Sequence, residues 1–416
     1  RIGGLCYGAS VAEVVHELAE INKSIRIIYD ETIQELIKLK QRQRESHGLI
    51  GAVGSSFTDL DMEGVDILEV KAHTIFNPQV TRKQDAMEVP IRNTYEDIVV
   101  VDMEGNVIPS FLFEHKKKAN NKLWFRVTIS PLALTTYFVY CIRQDTPGIL
   151  SEDNLASKIK QQNLSYYQKE IVIENSHLKV TVDKTTGRLK SLQNKGSKKV
   201  DSLTIPFEQS FFAFRTDKES SSIYNLDISN RFNLPNPEMK WIAVESWDCK
   251  VFNKLILYFR REDHMYSQEI TLYEWENFFR LKIYHRAEEL EDFGVEFNTK
   301  NDGLMYLDHT FHASMLNTDS RLRHDIEHPQ KHFRSLPNGF YMLYHPKGMN
   351  EYLGVINGHP MTFNGYNDKK KGNFEVLLQR SPADLEDTDE TFSEFHIFLC
   401  ELDKLENTRA AARNSL

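Results

Sequence analysis

Residues 174–189 read Glu-Asn-Ser-His-Leu-Lys-Val-Thr-Val-Asp-Lys-Thr-Thr-Gly-Arg-Leu. Two strand signals, His177–Asp183 and Arg188–Gln193, flank the run Lys-Thr-Thr-Gly. That run is a hairpin turn in which Gly187 supplies the positive φ that other residues resist. Outward from this hairpin the same pattern continues. Glu170–Ile173, Phe211–Arg215, Ile242–Cys249, Lys254–Arg261, Met265–Leu272, Phe278–Arg286, Asp292–Asn298, Gly354–Asn357, Phe374–Leu378 and His396–Leu399 all read as strands. Residues 151–416 are therefore expected to form one large antiparallel two-sheet sandwich. No fixed-period repeat is present, which argues against propellers and solenoids.

Upstream, residues 49–150 hold a second set of short signals, rich in β-branched and aromatic residues: Ile67–Phe76, Asp85–Ile91, Tyr95–Val101, Ser110–His115, Lys122–Ile129 and Thr135–Ile142. Asn77-Pro78, Asp102–Asn106 and Ala119–Asn121 separate them as turns, and the set reads as a small β-sandwich. Asp145–Asn154, with Pro147 and Gly148, is the expected linker, and Leu155–Gln162 a weak helix or extended connector. Residues 151–168 and 402–412 are short helical candidates.

Residues 1–48 differ in kind. Ser10 and Glu13 form a capping box. Val11, Val14, Leu18, Ile21, Ile25, Ile28, Ile33, Leu36 and Ile37 follow at helical spacing. Cations gather at the tail before Gly48. The rod, roughly 50 Å long at ~1.5 Å per residue, must bury its stripe. It either packs across a sheet or belongs to a bundle whose other helices lie outside this chain.

The 416 residues, 40 % hydrophobic and 27 % charged, exclude a disordered, collagen-like or low-complexity chain. No stretch approaches the ~18 apolar residues of a membrane span. A net charge of −9 argues against a nucleic-acid-binding surface as the main business. Cys6, Cys141, Cys249 and Cys400 are too widely spaced for a CxxC pair or zinc ribbon. They fit a reducing compartment, so a cytoplasmic setting is expected. The opening Arg1-Ile2-Gly3-Gly4 reads like the middle of a protein.

Four landmarks, in order, resemble glycoside hydrolase family 38, the α-mannosidases, over essentially the whole chain. Ile2-Gly3-Gly4 and the capped helix are similar to the stretch after that family's His-Asp zinc and substrate motif. Phe76-Asn77-Pro78, with Val89-Pro90, resembles the start of its small β-domain. Phe125-Arg126-Val127 through Pro131-Leu132 to Thr136-Tyr137 resembles that domain's last strands. Glu174–Val180, then Asp183 and Gly187-Arg188-Leu189, resembles the first hairpin of its large C-terminal sandwich, a fold similar to galactose mutarotase-like domains.

The resemblance implies a mainly β chain: the end of a helical bundle (residues 1–48), a small sandwich, and a large antiparallel supersandwich. It implies a parent that hydrolyses terminal α-mannosides with retention, through an Asp nucleophile and a second carboxylate acting as acid and base. Zn2+ would be held in the parent by ligands upstream of Arg1, with none in this chain. The chain alone would be inactive. It would scaffold the missing N-terminal catalytic domain and line the cleft for an α-mannoside or mannose-containing oligosaccharide. No nucleic acid or membrane partner is implied, and homo-oligomerisation stays open. Two positions carry the substrate-binding expectation. Leu378-Gln379-Arg380-Ser381, followed by Asp384, Asp387 and Asp389, resembles the family's Asp-Arg-Arg loop. Arg380 would then donate to sugar hydroxyls; the alternative is a surface ion pair with Asp384. Ser222-Ile223-Tyr224-Asn225 resembles a loop presenting a substrate-facing tyrosine, against which stands a packing role for Tyr224.

Other constellations are weaker. His324, His328 and His332 step by four, but Pro329 interrupts them; His309 and His312 would face opposite sides of a strand. Asp59 with Asp61, Glu288 with Glu289 and Glu291, and Asp387 with Asp389 are carboxylate pairs better suited to solvated turns than to acid–base work. Two further readings remain open: a carbohydrate-binding module without catalysis, and a mutarotase-like sugar isomerase using a His and a carboxylate among His309, His312 and His324.

Overall fold

The computed structural model describes residues 65–92, 97–113, 120–144, 155–159, 169–195, 204–215, 231–233, 240–249, 251–300, 305–308, 313–315, 334–336, 339–344, 351–358, 361–364, 373–381 and 390–415, with Glu20, Lys23, Ser24 and Glu31. Those four are helical, and the Ser24 hydroxyl donates to the Glu20 carbonyl at 2.9 Å. The rest of the expected N-terminal helix lies outside the described residues. The chain divides into two compact units, Arg1–Lys160 with Cys249–Val251, and Gln161–Asp248 with Phe252–Leu416.

In the first unit Val65–Phe76, Leu134–Gln144 and Asp97–Val101 form a three-stranded sheet, in that spatial order. Lys83–Arg92, Asn120–Ile129, Ser110–Phe113 and Ser157–Ile159 form a four-stranded one. Both sheets contribute to one core of Val89, Ile91, Ile98, Val100, Leu112, Leu123, Phe125, Val127, Ile129, Tyr137 and Val139. The expected sandwich is thus formed, because alternate residues of each strand are apolar and must leave water together. Residues 151–154 and 160–168 of the helical candidate lie outside the described residues, and Ser157–Ile159 takes the extended alternative rather than the helical one. It pairs with Phe111–Phe113, in the one parallel ladder among the described strands. The open edge of Ser110–Phe113 needs hydrogen-bond partners, and that tertiary demand overrides weak local helix propensity.

The second unit begins with the quoted hairpin. Arg188 pairs with Asp183, Gly187 sits at φ 67°, and its amide donates to the Asp183 carbonyl at 2.8 Å. The Asp183 carboxylate accepts the Thr185 amide at 2.6 Å, so the turn is closed by its own first residue. Glu170–Glu174, Leu178–Asp183, Arg188–Asn194 and Thr204–Pro206 make a four-stranded sheet. A six-stranded sheet runs Arg231–Asn233, Glu208–Arg215, Glu291–Asn298, Asn373–Ser381, Met361–Asn364 and Arg334–Leu336. A nine-stranded sheet runs Lys240–Asp248, Phe252–Arg261, His264–Tyr273, Phe279–His285, Thr391–Glu401, Glu351–Asn357, Gly339–Tyr344, Met305–Asp308 and Ala313–Met315. All three sheets feed one apolar core that includes Leu178, Val180, Val182, Phe211, Leu255, Leu257, Leu281, Phe293, Val295, Phe297, Val376 and Ile397. The predominantly antiparallel β fold is the expected one. A short 3-10 turn, Leu402–Lys404, leads into the helix Leu405–Asn414 near the C-terminus.

Candidate functional site

The two central strands of the six-stranded sheet, Glu291–Asn298 and Asn373–Ser381, are buried on both faces. Their inner faces put Phe293, Val295, Phe297, Phe374 and Val376 in the main core. The opposite face is a different chemical surface. Phe212, Phe214 and Leu377 form a separate apolar cluster there. Gly294 lies between Phe212 and Leu377 in the ladder, and a Cβ on it would come within 2.4 Å of the Phe212 ring. Glycine is needed because the ring lies across the backbone.

Polar rows border this apolar strip. On one side Glu296 is opposite Glu375 and Ser210. The Asn373 amide nitrogen donates to Glu296 Oε1, and the Ser210 hydroxyl lies 3.5 Å from Oε2. On the other side Asp292 is opposite Arg380, and Arg380 Nε donates to Asp292 Oδ2 at 3.2 Å. Asp292 is fully buried, while the Arg380 side chain keeps 23 % of its surface exposed. Burial pushes the Asp292 carboxyl above its ordinary value, more than the Arg380 guanidinium and the Ser381 amide pull it down.

On the inner side, beside this pair, lies a buried polar cluster. Gln379 Oε1 accepts the Ala287 amide at 2.8 Å and sits 3.2 Å from His285 Nδ1. His285 Nε2 is 2.9 Å from the Ser393 hydroxyl. Arg261 grips Glu291 with both terminal nitrogens, at 2.6 and 2.8 Å, and reaches Glu288 through Nε at 3.3 Å. Burial alone would lower the Arg261 pKa, but hydrogen bonding to Glu291 more than compensates and keeps the guanidinium charged. Burial pushes the neighbouring Tyr266 hydroxyl up to about 12, and that hydroxyl donates to the Arg286 carbonyl at 2.8 Å. Glu288 and Glu291, expected as solvated turn residues, are instead both drawn to Arg261. They share one cation, which suits them to holding the hairpin between Phe279–His285 and Glu291–Asn298.

Of the sequence-derived site residues, Arg380 is on the outer face and pairs with Asp292. Its other suggested partner, Asp384, lies outside the described residues, as do Tyr224, Asp59, Asp61, Asp387, Asp389, His309, His312, His324, His328 and His332. Sequence reading missed Asp292, Gln379 and His285. The one available signal was Leu377-Leu378-Gln379, two apolar residues and a polar one where alternation is due. Among the described residues no three His, Cys, Asp or Glu side chains could hold a metal ion together. Among them, too, no helix is long and apolar enough to cross a membrane.

The fold and this face define an antiparallel β-sandwich with a charged and aromatic strip outside its six-stranded sheet. Residues 173–304 match the family model described as the glycosyl hydrolases family 38 C-terminal domain. Two solved structures share the fold. An α-mannosidase from Enterococcus faecalis V583 aligns with 83 % of this chain and 45 % of its own at 10 % identity, TM-score 0.57. A glycosyl hydrolase family 38 protein from Enterococcus faecalis aligns over 85 % and 48 % at 10 % identity, TM-score 0.58. The chain thus spans less than half the length of either. A galactose mutarotase-like protein from Clostridium acetobutylicum aligns over 59 % of this chain and 98 % of its own at 8 % identity, TM-score 0.30. No curated protein matches the chain in sequence.

Proposed function

We propose that this chain is the C-terminal, non-catalytic part of a retaining, zinc-dependent α-mannosidase. It scaffolds the catalytic domain and lines the cleft for terminal α-mannosides. The family 38 match at residues 173–304 supports this reading. The observation that carries it is Arg380, partly exposed and held by a buried carboxylate on an outer sheet face with aromatic neighbours. A guanidinium is a planar fork of donors and suits vicinal sugar hydroxyls. Arg380 therefore binds and orients the sugar; Tyr224 offers it a flat apolar face and one hydroxyl. In this reading the nucleophile, the acid/base and the zinc ligands reside in the parent's catalytic domain, and the zinc they would hold would supply contacts to sugar hydroxyls there. A cytoplasmic setting belongs to the same reading and rests on cysteine usage: the cysteines are few and widely spaced in sequence, and Cys141, Cys249 and Cys400 are buried.

The test is an assay of the 416-residue chain on an aryl α-mannoside with added zinc. No turnover is expected. Robust turnover overturns the proposal, because the reactive carboxylates would then lie within these residues.

A further inference from the structure

We propose that Asp292 is the positioning residue of Arg380, and that a β-bulge at Leu378 delivers Arg380 to it. The inference rests on the reading of Arg380 as a sugar-binding residue.

Side chains alternate along a strand, so residues two apart share a face. Phe374, Val376 and Leu378 all belong to the main core. Strict alternation would send residue 380 into the core with them. The ladder prevents this. Leu377 pairs with Gly294 and Gln379 with Phe293, so Leu378 has no partner and the register shifts. The extra residue turns Gln379 inward and Arg380 outward, opposite Asp292. Bulges re-aim side chains in this way and are enriched beside functional sites.

The bulge is pinned from inside. Gln379 Oε1 accepts the Ala287 amide at 2.8 Å and faces His285 at 3.2 Å. The backbone that carries Arg380 is thus tied to the neighbouring hairpin. Asp292 then takes the side chain at Nε, 3.2 Å away. A guanidinium held at Nε is held at the base of its fork, which sets the direction of Nη1 and Nη2. Asp292 is fully buried, and burial raises its pKa despite the adjacent cation. A carboxylate kept where its charge is disfavoured is poor evidence for a stabilising role and better evidence for a positional one. Its charged neighbours among the described residues are Arg380 and Glu291.

The experiment titrates the full 416-residue chain with methyl α-D-mannopyranoside by ligand-observed NMR. Saturable binding is expected, weakened about tenfold by Asp292→Asn and by Arg380→Gln, as loss of one charge-assisted contact predicts. The double variant should be no weaker than Arg380→Gln alone, since both changes remove one unit. A purely structural Asp292 would not move a further readout. Wild-type affinity should fall as pH drops through the raised Asp292 pKa, while Asp292→Asn stays flat. Should Asp292→Asn fail to fold, Asp292→Glu replaces it: displacing the charge by one methylene should weaken binding and preserve the pH dependence. Wild-type affinity in Asp292→Asn, or in Asp292→Glu where that variant replaces it, beside loss in Arg380→Gln overturns the positioning role and leaves Arg380 as the sugar ligand. Absence of wild-type binding, or unchanged binding in Arg380→Gln, overturns the reading of Arg380 itself, and the positioning role with it.

Discussion

Asn175 and Asn77 show how single side chains set the turns on which both units depend. Asn175 Oδ1 accepts the His177 and Leu178 amides at 2.8 and 2.7 Å. Its Nδ2 donates to the Tyr273 and Glu276 carbonyls at 2.7 and 2.8 Å, stitching the first hairpin to a turn about a hundred residues away in sequence. Asn77 does the same work in the first unit, with Oδ1 on the Gln79 amide at 3.0 Å and Nδ2 donating to Thr81, Ile129 and Ser130. Both are buried, so truncation would leave backbone groups unpaired at about 1–3 kcal/mol each. Asn175→Ala should therefore lower unfolding free energy by about 3 kcal/mol in urea denaturation. Asp292 makes a prediction of opposite sign. Its folded pKa is raised, so the native state binds the extra proton, and stability falls as pH rises from the unfolded pKa through the folded one. Asp292→Asn mimics the neutral form. It should be at least as stable as wild type at pH ~7, with the gap closing near pH ~3, measured as Tm at both values.

Among the elements, the C-terminal helix is held by a buried histidine. His396 stacks on Phe278 with ring centroids 5.0 Å apart. Its Nδ1 lies 2.8 Å from the Ala412 carbonyl, which calls for a proton there, and Nε2 is 3.3 Å from Glu394. Burial lowers the His396 pKa more than the Glu394 hydrogen bond raises it. The unfolded chain therefore takes up a proton first as pH falls, and this contribution to stability is full above about pH 6.5 and is lost below it. Amide exchange in Leu405–Asn414 should accelerate, relative to the intrinsic rate, as pH drops from about 7 to 5, and His396→Phe should blunt the change. In the six-stranded sheet the corresponding element-scale test is Gly294→Ala. A Cβ there meets Phe212 Cζ at 2.4 Å and the Val376 carbonyl at 2.8 Å. Neither can move freely, because Phe212 and Val376 are fully buried. Overpacking of this kind should cost about 1–3 kcal/mol in denaturant unfolding.

For the whole molecule, the expectation is an intact fold that performs no hydrolysis: a cooperative β-rich protein that leaves an aryl α-mannoside untouched with or without zinc. The mainly β character, most of the strands and the hairpin at residues 177–193 were legible, because strand alternation and turn chemistry act over a few residues. Asp183, Gly187 and the Oδ1 atoms of the two asparagines do locally what their residue types allow, while the long-range bonds of the asparagine Nδ2 atoms left no such mark. Strands such as Ser157–Ile159 and Thr204–Pro206 carried no such mark. They are short, and they exist because a neighbouring edge has unpaired backbone groups. Arg380 was legible as a candidate, Asp292 as its partner was not. They are 88 positions apart in sequence, and meet only through a ladder whose register slips by one residue at Leu378. The sequence by itself thus determined which segments extend, where they turn and that their apolar faces demand a sandwich. Tertiary structure alone decided which strands lie side by side and which way Arg380 points. Register is a long-range choice, made by the burial of whole faces at once, and a one-residue slip reverses every side chain beyond it.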